Sequence, residues 1–325
     1  MADQLLYRPS ELFGRLPVDD VVQDAVRGLV RDYRYVFQEM KKPIDWVLTT
    51  LNDGLLATPF LAFTIILVLL ALRYASVGTA IFTAIALCAI EMMGVWDETM
   101  TTLAMVLTSV LFCAIIGIPL GVAAARSKTF DRILRPILDV MQTTPAFVYL
   151  VPVVMLFSVG LVPGVIATII FALPPLVRLT TLGIRQVPNE IVEAGRAFGA
   201  KPHQMLVDIQ LPLAWPSIMA GLNQTLMMSL SMVVIAALIG AGGLGLRVFQ
   251  GIGRLDIGAA TVGGLGIVLL AIILDRITQG MGELNRTPSR WDPVEFIGRL
   301  LLMRNKVIDE GKDATPDTGA AKPAT

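Results

Sequence analysis

The chain has 325 residues and a mass of 35.1 kDa, and its 26 basic residues balance its 26 acidic ones. Apolar residues make up 55% of the sequence and charged residues 16%, and the mean hydropathy is +0.71. Because soluble domains contain about 25% charged residues, this composition excludes a water-soluble domain, a disordered chain and a small disulfide-stapled module. The balanced charge gives no indication of a nucleic-acid partner.

The first 50 residues predict an amphipathic helix. Apolar residues recur at helical spacing between Val22 and Met40, with acidic and basic residues between them. Such a helix lies on a membrane surface and does not cross the membrane. We therefore expect residues 1–50 to form an interfacial or extracytoplasmic region.

Long apolar runs follow this region, and about 20 apolar residues are enough to cross the hydrocarbon core of a bilayer. One run, 146–182, would form a helix of about 55 Å, which is almost twice the thickness of that core. Pro163 and the glycines near it predict a break within 158–164, because proline and glycine interrupt helices. The sequence therefore predicts seven spans, of which the fourth is short: 55–72, 77–93, 101–125, 146–157, 165–182, 218–239 and 259–277.

The distribution of Lys and Arg gives the orientation. The loops after the third and fifth predicted spans and the tail after the seventh are rich in basic residues, whereas the loops between them carry few. Cytoplasmic loops are enriched in Lys and Arg. The N-terminus is therefore predicted to lie outside, with a transmembrane domain over 51–280. A cytoplasmic tail follows over 281–325 and is expected to be disordered after about residue 309.

One cytoplasmic loop, 186–215, has a distinctive pattern. Pro188 and Asn189 indicate a helix start, Gly199 ends this short helix, and a second segment from Pro202 is expected to close at Pro212. Small residues in the loop would let the backbone of another protein approach closely. The pattern predicts a helical elbow that docks in a groove of a partner protein.

The same loop resembles a known family. The run Glu193-Ala194-Gly195, three residues, Gly199, nine residues and Ile209-Gln210-Leu211-Pro212 matches the signature E-A-A-x3-G-x9-I-x-L-P. That signature is found in the permease subunits of bacterial ABC importers, and Gly195 in place of the second alanine is the only departure. The runs 141–152, 242–245, 253–256, 263–266 and 274–276 resemble the glycine betaine/proline branch, so the resemblance covers about residues 95–280.

The resemblance implies an all-α integral membrane protein with about seven transmembrane helices of the type I ABC importer permease fold, located in the bacterial inner membrane. Its implied partners are a separate ATPase that binds ATP and Mg, a solute-binding protein and a second permease subunit, which the branch favours as an identical copy. The chain itself is expected to bind no cofactor. The solute would be glycine betaine, proline, choline or another methylated amine such as trimethylamine N-oxide. The residues implied to couple the loop to the ATPase are Glu193, Ala194, Gly195, Gly199, Ile209, Leu211 and Pro212.

Uncharged polar residues within the apolar segments are candidates for a translocation path. Gln142, Thr143 and Thr144 precede Pro145, and Asn223 and Gln224 lie in the sixth predicted span. These groups would line a hydrated path for a zwitterion, but hydrogen bonds between helices explain them equally well. The few charged residues in the spans lie near span ends, where they are expected to reach the interface or to pair locally: Glu91, Arg178, Asp275 and Arg276.

The main alternative is a secondary transporter or channel driven by an ion gradient. The sequence contains no P-loop motif, so the energy comes either from another chain or from a gradient. The sequence lacks the inverted repeat and the buried carboxylates that would favour a gradient-driven transporter. A third interpretation, a membrane-bound enzyme, lacks a nucleophile with its base. The motif G-x-G-x-x-G at 240–245 follows a predicted span and does not predict a dinucleotide site, and the single His203 excludes a multi-histidine metal site.

Overall fold

The computed structural model describes residues 18–283, and within this range the chain forms helices and short connections without a strand. The helices are α1 (Val18–Ala57), α2 (Phe60–Tyr74), α3 (Val77–Met92), α4 (Trp96–Arg126), α5 (Lys128–Thr143), α6 (Leu150–Phe157), α7 (Leu161–Arg185), α8 (Asn189–Ala197), α9 (Leu211–Ala236), α10 (Gly243–Gly253) and α11 (Ile257–Glu283). The predicted tail and its expected disorder lie outside the described residues.

The centre of the bundle consists of α4, α7 and α9, whose facing side chains include the fully buried Met105, Leu176 and Met232. Small residues bring these helices together. A Cβ atom on Gly121 would lie 2.6 Å from Cβ of Thr180. One on Gly221 would lie 3.2 Å from Cα of Leu176. Close approach through small residues is the usual way in which membrane helices pack.

Within residues 18–283, four helices are long and apolar enough to cross a membrane unaided: Trp96–Arg126, Leu161–Arg185, Pro202–Ile239 and Ile257–Gly282. Two more stretches qualify only as sharply bent pairs, Tyr35–Ala57 with Phe60–Tyr74 at 107° and Lys128–Thr143 with Ala146–Phe157 at 106°. The second predicted span corresponds to the helix Val77–Met92, whose 16 residues have a length of about 24 Å. The all-helical membrane fold is therefore confirmed, and the predicted spans at 55–72, 77–93 and 146–157 are the short or bent ones.

The first predicted span begins later than expected because α1 continues to Ala57. Its apolar side packs against the bundle through the buried Leu48 and through Phe37, whose ring contacts that of Phe157 edge-on at 5.7 Å. Pro59 then precedes the first residue of α2, a place where its missing N–H is tolerated. The amphipathic helix therefore extends past the predicted boundary at residue 50.

The break in the long apolar run lies at 158–160, where Ser158 and Gly160 have φ angles of 72° and 126°. The Gly160 N–H donates to the Ile239 carbonyl at 2.9 Å, which fixes the break against the end of α9. Pro163 lies in the first turn of α7, where proline is tolerated, and not in the break itself.

The bundle has two chemically different ends. The connections before α5 and α8 bring the basic residues of the predicted cytoplasmic loops to one end, which we name the cytoplasmic end. The break at 158–160 and the helix α10 lie at the opposite end, which we name the outer end. The structure thus keeps the alternation of charge that the sequence shows.

Candidate functional site

The cytoplasmic loop 186–215 joins α7 to α9 and consists of two legs. The first leg is α8, which ends at Gly199 with a φ angle of +81°, a left-handed conformation that glycine adopts without cost. The N–H groups of Phe198 and Ala200 donate to the carbonyls of Ala194 and Gly195 at 3.0 Å each and close the helix end. The second leg is a turn, Pro202–Gln204, followed by a π-helical turn, Met205–Gln210.

The second leg continues into α9 without interruption, so the expected closure at Pro212 is wrong. The stretch Pro202–Ile239 forms one continuous helical element, with Pro212 in the first turn of α9. The π-helical turn before it changes the backbone hydrogen-bonding pattern where the proline N–H is missing. The loop is therefore mechanically continuous with a membrane-crossing helix.

The first leg forms an exposed surface. No residue of α8 is buried, and Glu193, Ala194 and Gly199 all lie in the open. Phe198 at the tip is 93% exposed. Sequence reasoning did not single out Phe198, although an aromatic side chain directly before the turn glycine of a polar loop is a usable signal. An exposed aromatic residue with small neighbours is typical of a protein-binding surface.

Two further residues of the signature, Gly195 and Ile209, face each other within the loop. A Cβ atom on Gly195 would lie 2.8 Å from Cδ1 of Ile209 and 2.8 Å from Cε of Met205. The small size of Gly195 therefore lets the two legs pack together, and this differs from the expectation that it opens the surface to a partner. Leu211 is half-buried and Pro212 is exposed at the start of α9.

Arg185, the last residue of α7, fastens the loop to the bundle. Its guanidinium donates to Asp131 at 2.7 Å and to the carbonyl of Ala124, in the last turn of α4, at 2.6 Å. Arg135 approaches the same carboxylate at 2.9 Å. Burial raises the pKa of the Asp131 carboxyl, but the hydrogen bonds from Arg185 and Arg135 outweigh it and hold this pKa below its ordinary value. The sequence indicated only the charge bias of this region, not this contact between three helices.

The candidate path residues before Pro145 lie at the bend between α5 and α6. The hydroxyl groups of Thr143 and Thr144 donate to the Val140 carbonyl at 3.3 Å and 2.7 Å, and Gln142 is half-buried. The Tyr149 hydroxyl donates to the Met141 carbonyl at 2.6 Å. The Val140 carbonyl also accepts the Thr144 N–H at 3.0 Å, so the threonine hydroxyls add to an existing helix bond, whereas Tyr149 occupies a carbonyl that Pro145, which has no N–H, leaves free.

Arg178, one of the charged residues expected to pair locally, forms an ion pair with Asp139 of α5. This contact and the one between Arg185 and Asp131 are about 10 Å apart along α7. Together they hold α5 alongside α7 up to the bend.

The second pair of candidate path residues borders a cavity of about 680 Å³ between α9 and α11. Asn223 donates to Asp275 at 2.9 Å and accepts from the Thr278 hydroxyl at 2.5 Å, so it joins two helices as well as lining the cavity. Gln224 also lines the cavity and is exposed. Gln279 donates to the same carboxylate of Asp275 at 2.7 Å. Asp275 is therefore held by two amides, which is the local pairing expected of it.

The glycine motif at 240–245 follows α9 and leads into α10, and no strand occurs in the range 18–283. Gly243 has a φ angle of +77°, and a Cβ atom there would lie 2.5 Å from Oγ1 of Thr102. That hydroxyl accepts the Leu244 N–H at 2.8 Å, and Arg247 pairs with Glu98 at 2.8 Å. The motif is a packed helix junction at the outer end and lacks the strand that a dinucleotide site requires.

These features define a class: a multi-pass membrane subunit that has an exposed cytoplasmic loop and no P-loop of its own. The family described as binding-protein-dependent transport system inner membrane component matches residues 117–282. The chain belongs to this family. It is a transport subunit of the inner membrane and not an enzyme.

Individual relatives support this family assignment. The chain is 54% identical over 287 residues to the glycine betaine/proline betaine transport system permease protein ProW of Escherichia coli K12, with 88% of this chain and 81% of ProW covered. It is 43% identical over 267 residues to the glycine betaine transport system permease protein OpuAB of Bacillus subtilis 168, with coverages of 82% and 95%. Among solved structures, an inward-facing form of the MetNI methionine ABC transporter is similar, with a TM-score of 0.52 and 28% identity over 58% of this chain and 93% of that chain.

Proposed function

We propose that this chain is the permease subunit of an ATP-driven importer for glycine betaine or a closely related methylated amine, and that the cytoplasmic loop 186–215 receives the movement of a separate ATPase. The observation that carries the proposal is the exposed first leg of the loop, with Phe198 at its tip. The named functions of the relatives ProW and OpuAB supply the solute class. ATP and Mg are assigned to the ATPase partner.

The ATPase contact is assigned to the open side of α8. Phe198 would enter a groove of the ATPase, and Glu193, Ala194 and Gly199 would lie at the edge of that contact. A protruding aromatic side chain that becomes buried is the typical centre of a protein interface. The small side chains around it allow the partner backbone to approach.

Transmission of the movement follows from how the loop is held. Gly195 packs against Met205 and Ile209, so α8 and the second leg would move as one body. Leu211 and Pro212 continue this body directly into α9. Arg185 connects the loop to α4 and α5 as well. A movement of α8 would therefore act on α9, α4 and α5.

The solute path is assigned to the polar groups on those helices. Gln142, Thr143 and Thr144 lie at the bend that ends α5, and Asn223 and Gln224 line the cavity beside α9. Uncharged polar groups suit a zwitterion, because they hydrate it without holding it strongly. We further propose that a second copy of this chain completes the path, and that a solute-binding protein delivers the solute at the outer end.

The test is Phe198→Asp, with Gly199→Asp as a second variant, in vesicles that contain the permease, its ATPase and its binding protein. We expect each variant to be inserted normally but to lose ATP-driven glycine betaine uptake by more than about tenfold, because the charge disrupts an apolar contact. The matched control for ATPase binding is Leu255→Asp, since Leu255 is 88% exposed at the outer end. This control should retain the ATPase during purification.

Two results would contradict the proposal. Normal uptake by Phe198→Asp and Gly199→Asp would remove the loop as the ATPase contact. Uptake driven by an ion gradient in vesicles without ATP would identify a secondary transporter or channel. Competition between glycine betaine, proline, choline and trimethylamine N-oxide for the binding protein would then define the solute.

A further inference from the structure

A polar cavity of about 420 Å³ lies between the cytoplasmic loop and the ends of α4 and α7. Its lining includes three arginines from three different elements, Arg126, Arg185 and Arg196, and two amide side chains, Asn189 and Gln210. Within residues 18–283 no carboxylate contributes to this lining. The charge that borders the cavity is therefore entirely positive, although apolar side chains such as Ile184 and Met205 complete its lining.

The three arginines differ in whether an acidic residue pairs with them. Asp131 neutralises Arg185 from outside the cavity, at 2.7 Å. Neither Arg126 nor Arg196 forms a salt bridge with an acidic residue of the described range. Asn189 is the first residue of α8, so the positive end of that helix adds to the field. Guanidinium groups can each donate two hydrogen bonds to the oxygens of a phosphate ester.

The position of the cavity indicates which phosphate-bearing molecules can reach it. Arg126 and Arg185 are the last residues of two membrane-crossing helices, which places the cavity at the depth of lipid headgroups. Trp215, five residues after Gln210, is 43% exposed, and tryptophan is enriched at the membrane–water interface. Basic pockets between helices on the cytoplasmic side are suited to anionic headgroups.

We propose that this cavity binds the phosphate group of an anionic phospholipid of the cytoplasmic leaflet. The headgroup joins Arg196 of α8 to Arg126 at the end of α4. The lipid thereby holds the first leg of the loop against the bundle. The site is a property of this chain alone and does not depend on the proposed ATPase contact.

The experiment measures binding to the full-length chain purified in detergent without its partners. Dioleoylphosphatidylglycerol, dioleoylphosphatidylcholine and inorganic phosphate are titrated separately, and the thermal unfolding midpoint is recorded. The test variant is the double substitution Arg126→Gln with Arg196→Gln. The matched control is Lys128→Gln with Arg132→Gln, which removes two exposed positive charges from the same end of the molecule but outside the cavity.

We expect phosphatidylglycerol to raise the midpoint saturably and phosphatidylcholine to leave it unchanged. The test variant should bind phosphatidylglycerol about tenfold more weakly, because it loses two charge-assisted contacts, and the control should stay within about twofold. If the test variant does not fold, Arg196→Gln alone replaces it, with a smaller but still specific loss expected from the one contact removed, since Arg196 is exposed on α8.

Three outcomes would overturn the proposal. Equal weakening in both double variants would mean that only the overall charge attracts the lipid. Stabilisation by inorganic phosphate that depends on the two arginines, without any by phosphatidylglycerol, would assign the site to a soluble anion. Binding of neither would leave the cavity to a protein partner, such as acidic side chains of the ATPase.

Discussion

The two glycine-rich connections at opposite ends of the bundle use the same residue type for different purposes. At the outer end, a Cβ atom on Gly243 would meet Thr102 Oγ1 at 2.5 Å, and one on Gly245 would meet the Val233 carbonyl at 2.5 Å. In the cytoplasmic loop, nothing lies within 4 Å of the same position on Gly199, and Gly195 meets only the ends of flexible side chains. The outer connection is thus packed against neighbouring helices, whereas the tip of the cytoplasmic loop is open.

This difference separates structural from functional glycines. A glycine that touches backbone or a short side chain of another helix is needed for the packing of the bundle. A glycine with open space around it is needed only for its backbone conformation or for what binds there. The exposed tip at Phe198 and Gly199 therefore depends little on the rest of the fold, which is what a contact surface for another protein requires.

The largest effect is expected from Gly243→Ala. The new methyl group would clash with Thr102 while the φ angle of +77° adds strain, so together they should cost about 3 kcal/mol or more of stability. Thermal unfolding in detergent measures this loss. Gly199→Ala has strain alone and should cost only about 1 kcal/mol, and Gly253→Ala, with open space and an ordinary φ, should cost less still. Equal losses in all three variants would refute the distinction between packed and open glycines.

Asn223→Ala and Gln224→Ala extend the comparison to the cavity beside α9. Asn223→Ala removes a donor to Asp275 and an acceptor for Thr278, and it should lower the stability by about 1–3 kcal/mol. Gln224→Ala should leave stability unchanged, because its side chain is exposed, while it changes the rate of solute uptake. Unfolding and uptake assays on both variants distinguish these roles. Unchanged uptake in Gln224→Ala would remove this residue from the path.

Asp131 allows the attachment of the loop to be tested by pH. The pKa of its carboxyl is lower in the folded chain than the value of about 3.9 in an unfolded one. The stabilisation it provides is therefore fully present above the unfolded pKa and is lost as the pH falls through the folded pKa. The wild-type chain should lose part of its stability below about pH 4, and Asp131→Asn should lack that part already at neutral pH. Identical pH profiles of the two proteins would show that the contact with Arg185 is not stabilising.

The smallest effect is expected at the outer end, from Arg247→Gln. The ion pair between Arg247 and Glu98 is partly exposed, and such pairs contribute about 0–1 kcal/mol. The glycine contacts around it should keep α10 in place. An unfolding midpoint within a few degrees of the wild type is the expected result. A much larger loss would mean that the charge pair, and not the glycine packing, holds the outer connection.

Much of this arrangement could be predicted from the sequence, and the remainder has identifiable physical causes. The apolar runs predicted an integral membrane protein, and the basic loops predicted which end of the bundle is cytoplasmic. The lengths of the short spans could not be predicted, because the bends at Pro59 and at Thr144 depend on how α1 and α5 pack. The continuation through Pro212 was missed because the π-helical turn before it has no sequence signal.

The site was predicted less completely than the fold. The signature of the cytoplasmic loop indicated the correct segment, but it did not distinguish Gly195, which faces Ile209, from Gly199, which faces solvent. It also omitted Phe198 and Arg185. The reason is that a sequence motif records which residues occur and not which way they face, and the contact of Arg185 with Asp131 joins residues 54 positions apart.

The most direct measurement is photo-crosslinking of the loop tip in inverted membrane vesicles that contain the ATPase. The crosslinking amino acid p-benzoylphenylalanine replaces Phe198 in one sample and Leu255, at the outer end, in another. We expect an adduct with the ATPase from position 198 and none from position 255. An adduct from position 255, or none from position 198, would contradict the proposed ATPase contact.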